Sequence, residues 1–508
     1  MERDGATQSL WQREEINYTE VNFVHNSKDI FDVIIIGAGI TGLTTALCLQ
    51  AAGKRCMVLE AHKVGFGTTS GTTAHLNTVL DNSYSKIIKN FGLENAIRTA
   101  EAADLAIQSI ESFIAQYGIA CNFTRCAAYL YATEEKEAKE LQNMQEAFRQ
   151  VGINSSYVHH IPGPMKFTKA VCVSGQARFH PTQYIKGLLK AYLELGGKIR
   201  EKSLVKKVQE EDSFQRVLSA DDGVYDAKHI VYATHTPPGI HPLTFKLTPY
   251  RSYVIAVELT NRKSYPNDLI YDLKEPFHYI RKAKEGESPV LIIGGEDHKT
   301  AHEINTVHNF QKLESFVRQH YSVQRKLYEW SSQFYESADG LPYIGYLSEK
   351  KNKFVATGFS GNGMIYGTLS GKIISDIIIK GKSKYQNLFS PSRVKPIAEF
   401  QSFVKESADV IKHFVSDRLS VDKLKNTVEI GKGEGRIVKY EGKKIAIYRD
   451  KEGELFALNP VCRHAGCIVQ WNHAERSWDC PCHGTRYAID GSLLNGPAST
   501  DLPSLKLE

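Results

Sequence analysis

Four consecutive aliphatic residues, Val33 to Ile36, run straight into "GAGITG", and no other stretch restricts the fold so strongly. An unbroken β-branched run is the mark of a strand buried on both faces, as in parallel sheets. Gly37, Ala38, Gly39, Ile40, Thr41 and Gly42 follow at G-x-G-x-x-G spacing, and "LTTALCLQAAG" then has helical periodicity. "KRCMVLEA" supplies a second strand ending in Glu60, eighteen residues after Gly42. The three glycines fall where a strand must turn sharply, let a pyrophosphate approach backbone N–H groups, and start a helix whose N-terminus favours an anion. Glu60 stands where a carboxylate accepts hydrogen bonds from a ribose hydroxyl. The glycine pattern alone is weak; with strand, helix and acid around it, it points to a bound dinucleotide rather than a structural turn.

The rest of the chain sets the context. Its 508 residues are 42% hydrophobic and 24% charged, the proportions of a globular protein with more than one core. The formal charge is only +6 and no dense Lys/Arg block occurs, so nucleic acid is not indicated as a partner. No apolar run reaches the length of a transmembrane segment, and the N-terminus has neither a signal-peptide core nor a twin arginine. The expected location is cytoplasmic. Cys48, Cys56, Cys121, Cys126 and Cys172 are scattered, as buried reduced thiols are.

Residues 1–30 read as an N-terminal extension. From about 31 to 392, strands such as "HIVYAT" and "VLIIGG" alternate with helical segments such as "EEKEAKELQNMQEAFRQVG", which predicts an α/β domain. Its nucleotide-binding parts are expected at about 31–80, 170–240 and 330–390, with an α+β substrate subdomain from about 81–169 and 241–329. "SPSRVKP" breaks the pattern. Phe400, Phe403, Val404, Ile411, Phe414 and Val415 then give one greasy face to a connecting helix over 393–419. Residues 420–508 turn to short strands, "GRIVKYEG", "KIAIYRD" and "ELFALN", and predict a small all-β domain.

The segments "EAHKVGFGTTSGTTAHLNT", "HIVYATHTP", "ESADGLPYIG" and "VATGFSGNGMIYGTLSGKIISDII" together resemble the D-amino acid oxidase superfamily, in order and spacing, across most of residues 31–390. That resemblance makes the dinucleotide FAD and the fold the glutathione-reductase-like Rossmann type. It implies that Gly67, Thr68, Thr69 and Ser70 approach the phosphates and flavin, that Val205 contacts adenine, and that Ala233 and Thr234 pass near the ribose. Asp339, Gly340, Gly361, Asn362, Gly363 and Met364 would lie by the flavin. His75 is out of register with the histidines that tether FAD covalently in some relatives, so non-covalent FAD is expected. No second strand, glycine turn and acid of the nicotinamide type occurs, which disfavours a pyridine-nucleotide reductase.

Flavin amine oxidation needs little acid or base machinery, because it chiefly requires the substrate C–H to be held over the flavin with its amine unprotonated. Amino acid oxidases of the superfamily carry an arginine just before the "DG.P.IG" segment to clamp a carboxylate. Here Phe334, Tyr335 and Glu336 stand in that neighbourhood. Tyr253, His278, Tyr279 and Arg281 are candidates for lining the pocket, each weighed against a structural role.

"CRHAGCIVQWNHAERSWDCPCHGTRY" places four cysteines and three histidines near the C-terminus. Cys462-x-His464 and Cys480-x2-His483 form two Cys-His pairs. A Cys2His2 zinc site competes for them, but zinc modules usually pair like with like. Two mixed pairs give one thiolate to one iron and one imidazole to the other from each loop, the arrangement of a Rieske 2Fe-2S cluster. His473 and Trp478 read as structural. The string resembles the Rieske signature, which implies a Cys467–Cys482 disulfide. It also implies hydrogen bonds from Thr485 and Tyr487 to cluster sulfurs, as in the upper part of the range of about −150 to +300 mV.

Over its full length the composite resembles the YhfW-like bacterial flavoproteins. The cofactors implied are FAD and a Rieske 2Fe-2S cluster. Two functions of different class follow. In one, an oxidoreductase takes electrons from a small-molecule substrate, an amine or amino-acid-like compound, and passes them through the cluster to an unidentified electron acceptor. In the other, a flavin oxidase uses oxygen and the Rieske unit serves for docking or redox sensing.

Overall fold

The structure, a computed structural model, describes residues 5–14, 16–18, 30–347, 352–393 and 430–506. The helix expected over 393–419 lies outside the described residues, apart from Arg393.

Val33 to Ile36 sit in the strand Ile30–Ile36 and are at most 6% exposed. Parallel strands flank it, Cys56–Leu59 on one side and Val224–Tyr232 on the other. An eight-stranded sheet grows outward from these three. Its central strands have near-continuous aliphatic runs because helices cover the sheet. Helix Ile40–Ala51 follows the glycine turn and packs on helix Gly363–Lys380, where Gly367 and Gly371 allow close approach. A Cβ on Gly371 would meet Thr44 Cβ at 2.8 Å.

A nine-stranded sheet forms the second layer. Its long pair, Leu247–Leu259 and Val323–Ser337, runs antiparallel from Leu247↔Ser337 to Leu259↔Val323. Strands Lys169–Arg178 and Val323–Ser337 both belong here, so the nucleotide-binding parts expected to begin near 170 and 330 open with strands of the second layer. Residues 9–13 are more than an extension. Trp11 is 1% exposed, donates from Nε1 to the Thr72 carbonyl at 2.6 Å, and accepts at its own carbonyl from Thr182.

The C-terminal unit has a three-stranded and a four-stranded sheet around a core that includes Val469, Trp478 and Tyr487. It docks on the long pair of the nine-stranded sheet. Asp479 lies between Arg486 at 3.0 Å and Arg251 of the N-terminal domain at 3.9 Å, all fully buried. Burial opposes its charge, yet the two guanidiniums outweigh that and hold its carboxyl below the usual range. Glu475, also buried, accepts from Ser331 and from Thr7, so the N-terminal segment and both domains meet at one carboxylate.

Cys56 and Cys121 are buried and Cys48, Cys126 and Cys172 half-buried. Burial raises all five thiols, Cys56 and Cys121 to about 12. Among the described residues no helix is long and apolar enough to cross a membrane.

Candidate active site and metal centre

A cavity of about 400 Å³ lies between the two large sheets. At one end the glycine turn builds it. Gly37 has φ +106°, and a Cβ there would lie 2.5 Å from the Ala233 carbonyl oxygen. Gly42 faces away from the cavity: a Cβ on it would sit 1.8 Å from the Gly37 carbonyl oxygen, so it serves helix-to-strand packing. Gly39, Ile40 and Thr41 line the space, and the Ile40 N–H is held by Thr69 Oγ1 at 3.1 Å. Glu60 accepts from the Ala38 and His62 N–H groups at 2.7 and 2.9 Å, which fixes its carboxylate at the wall. Burial raises its pKa.

Gly67, Thr68, Thr69, Val205, Ala233, Thr234, Gly361, Asn362, Gly363 and Met364 also line the cavity. A Cβ on Gly67 or Gly363 would meet nothing within 4 Å, so the space before both is free for a ligand. Helix Gly363–Lys380 begins at the wall and directs its N-terminal dipole there. These residues fit FAD: a glycine turn at a helix N-terminus for the pyrophosphate, an acid for the ribose, and a second helix end for the ring.

Other residues expected at the site lie away from the cavity wall. Ala38 and Ser70 are second to the cavity, Ala38 through its bond to Glu60 and Ser70 by accepting at its carbonyl from Ser9. Asp339 is not at the wall; Arg393 grips both its oxygens at 2.7 Å, and the neighbouring Gly340 carbonyl accepts from Asn82. Of the pocket candidates only Tyr279 lines the cavity. Tyr253 is buried against Phe310 and bonded to His298. His278 is bound between Asp272 at 2.8 Å and Glu296 at 3.5 Å. Arg281 donates to the carbonyls of Thr73, Ala74 and Phe179, a clamp on the chain.

Sequence reasoning did not find Asp81, Tyr271, Phe277 or Asp297, nor that residues 493–499 of the C-terminal domain close one side of the same cavity. No local pattern marks them, because elements distant in sequence bring them together. His75 is at the wall, and burial holds its imidazole well below the ordinary value.

The C-terminal loops are built alike. In each, a glycine with positive φ closes a turn: the Gly466 N–H bonds the Cys462 carbonyl and the Gly484 N–H the Cys480 carbonyl, at 3.1 and 3.0 Å. Cys467 and Cys482 form a disulfide across the loops. The Cys480 sulfur lies within 4.8 Å of both, but the disulfide removes them as ligands. Cys462, His464, Cys480 and His483 are at most 7% exposed, and the two imidazole rings are 4.8 Å apart. Nδ1 of His464 and Nδ1 of His483 are both buried without a hydrogen-bond partner. A buried orphan nitrogen is costly unless a metal takes its lone pair, and here two accompany two buried thiols. The hydrogen bond with Cys480, opposed by burial, lowers Cys462, with further help from Tyr487 and Thr485. Tyr487 Oη stands 3.6 Å from Cys462 Sγ and accepts from the Arg463 N–H. The residues fit a cluster held by two thiolates and two neutral imidazoles.

Cavity and loops touch. His464 Nε2 donates to the Gly239 carbonyl at 3.2 Å, and Pro238, the residue before it, lines the cavity. Tyr335 donates to the His483 carbonyl, and its ring packs on His235, another wall residue.

The pattern of the FAD dependent oxidoreductase family (DAO) matches residues 32–377, and that of the Rieske [2Fe-2S] domain matches residues 421–506. The putative Rieske 2Fe-2S iron-sulfur protein YhfW of Bacillus subtilis (strain 168) is 31% identical over 480 residues, 94% of each chain. Gamma-glutamylputrescine oxidoreductase of Escherichia coli (strain K12) is 24% identical over 68% of this chain and 83% of its own. Among solved structures, glycine oxidase from Geobacillus kaustophilus superposes with a TM-score of 0.58 at 20% identity, over 72% of this chain and 99% of that one, which shows the shared fold.

Proposed function

The chain belongs to the FAD-dependent oxidoreductase (DAO) family and carries a Rieske 2Fe-2S domain behind it, and from that premise we propose that it is a dehydrogenase acting on a C–N bond. Its substrate is a small amine or amino-acid-like molecule, its electrons leave through the Rieske domain to a separate acceptor, and it works in the cytoplasm. FAD supplies acceptance of an electron pair from the substrate carbon, and the cluster supplies carriage of single electrons.

The protein's own residues support this in two ways. Wall residues from the nine-stranded sheet, among them Tyr279, Ser252 and Val254, bound the part of the cavity away from the nucleotide turn, where a substrate is held and water displaced. The contact between His464 and Gly239 is the observation that carries the electron route. The His464 side chain, one of the four that would hold the cluster, is hydrogen-bonded to the Gly239 carbonyl, and Gly239 directly follows the wall residue Pro238. The relative named for gamma-glutamylputrescine favours an amine substrate. A Rieske unit used only for docking a partner would not need its ligand imidazoles turned inward.

The C–N reading is tested by mixing purified protein anaerobically with a panel of amines and N-methylated amino acids. Bleaching of the flavin by members of the panel, with the corresponding carbonyl product, is expected; a flavin that stays oxidised with every amine and is bleached by alcohols or thiols instead would refute it.

A further inference from the structure

The part of the cavity lined by Tyr271, Tyr279, Phe277, Phe334 and Phe359 contains two carboxylates, Asp81 and Asp297. Among the described residues that line the cavity there is no lysine and no arginine. The two acids are differently engaged. Asp81 accepts from the Gly361 N–H at 2.6 Å, and its own N–H bonds Asn362, so it braces the turn that precedes helix Gly363–Lys380. Asp297 has no such duty. Its Oδ1 is buried and has no hydrogen-bond partner, while its neighbours in the strand turn to other work: Glu296 pairs with Lys312 and His298 with Tyr253. Ser252, whose hydroxyl is 2.7 Å from Tyr279 Oη, is the side chain that bonds the Asp297 carboxyl.

We propose that Asp297 is the anchor for a cationic group of the substrate, and that the substrate class is an ammonium-bearing amine with no carboxylate at that end. A buried carboxylate oxygen without a partner is costly, and a bound ammonium removes that cost. The aromatic side chains at this wall are of the kind that attract a cation and would gain nothing from a carboxylate. An amino acid carboxylate would meet two acids and no guanidinium, a like-charge arrangement that excludes it. Burial, with Asp81, Glu336 and Glu296 adding to it, pushes the Asp297 carboxyl up to about 7, the state of an acid that lacks its counter-ion. The inference rests on the amine reading above and narrows it.

The test uses the holoprotein with an unreactive cation, butyltrimethylammonium, titrated against the flavin absorption spectrum. Its carboxylate counterpart of similar length, hexanoate, is titrated in parallel. The cation should perturb the spectrum and hexanoate should not. Asp297→Asn should weaken cation binding at least ~30-fold with FAD content unchanged, as loss of one partner of a desolvated charge pair does. Equal cation affinity in Asp297→Asn, or hexanoate binding to the native protein more tightly than the cation, would overturn the assignment. The comparison of the two probes on native protein decides even if the variant loses FAD. Because neither probe is oxidised, cation binding through Asp297 supports the anchor whether or not any amine bleaches the flavin, so the two readings fail separately.

Discussion

His464 and Gly239 are joined by a 3.2 Å hydrogen bond across the domain boundary, with the imidazole Nε2–H as donor and the peptide carbonyl as acceptor. The bond settles the tautomer, since a carbonyl only accepts, and leaves Nδ1 with its lone pair directed elsewhere. The same segment is pinned from the other side, where the Gly239 N–H donates to the Pro497 carbonyl at 3.0 Å. Adjacent residues thus serve two ends: Pro238 lines the cavity, and Gly239 seats the C-terminal domain.

The seat is close-fitting at Gly484. A Cβ there would come within 2.7 to 2.9 Å of Pro249 Cβ, Gln333 Nε2 and Tyr335 Oη, and φ is +72°. Gly484→Ala should loosen docking, and because the Gly484 N–H also closes the Cys480 turn, cluster content is followed beside it. Electron paramagnetic resonance should show the cluster retained, and cleavage by a protease between the domains should become faster. Unchanged proteolysis would mean that the interface yields easily.

Tyr487→Phe removes one hydroxyl beside Cys462 and little packing. A hydrogen bond to a sulfur ligand favours the reduced, more negative state. With ~1.5 to 3 kcal/mol as the bound for a bond to a charged group, and about 59 mV per tenfold change for one electron, the potential should fall by several tens of mV to about 100 mV. A mediated redox titration measures it.

Gly39→Val should abolish FAD retention, because its Cβ begins 2.9 Å from Thr69 Oγ1 and the branched side chain must enter the space before Ile40. The Rieske domain should keep its cluster. Gly42→Ala should be worse for the fold, since the clash is with backbone at 1.8 Å and neither side can yield. Flavin absorbance per protein, against soluble yield, separates the two effects.

His278 gives a pH signature. Burial opposes its charge, but Asp272 and Glu296 overcome that and raise it to about 9. A pKa raised above the unfolded value gives stability that is full below about 6.5 and is lost as pH rises through about 9. The melting temperature of native protein should fall by several degrees between those values, and His278→Gln should flatten the decline. An equal slope in both proteins would show that the His278 ion cluster does not govern stability in this window.

What the sequence disclosed was local. The Val33–Ile36 run, the glycines and Glu60 lie within thirty residues, and the two Cys-His pairs within twenty-two, so spacing singled them out, and resemblance named FAD and the disulfide. The far wall of the cavity was illegible for the opposite reason. Asp297, Tyr271 and the 493–499 turn reach one cavity from three parts of the chain. Strand alternation explains the mixed fate of His278 and Tyr279: adjacent residues face opposite sides, so only one can meet the cavity. Asp339 and Gly340 were expected beside the flavin from resemblance, but Arg393, a residue from beyond the last large helix, claims Asp339.

The central claim is that electrons cross from the flavin to the cluster within one chain. Anaerobic flash photoreduction of the flavin, with a sacrificial donor, tests it without knowledge of the substrate. Cluster absorbance should bleach as the flavin reoxidises, in a first-order process whose rate is independent of protein concentration and falls in Gly484→Ala. A cluster that stays oxidised, or that is reduced at a rate proportional to protein concentration, would contradict the account.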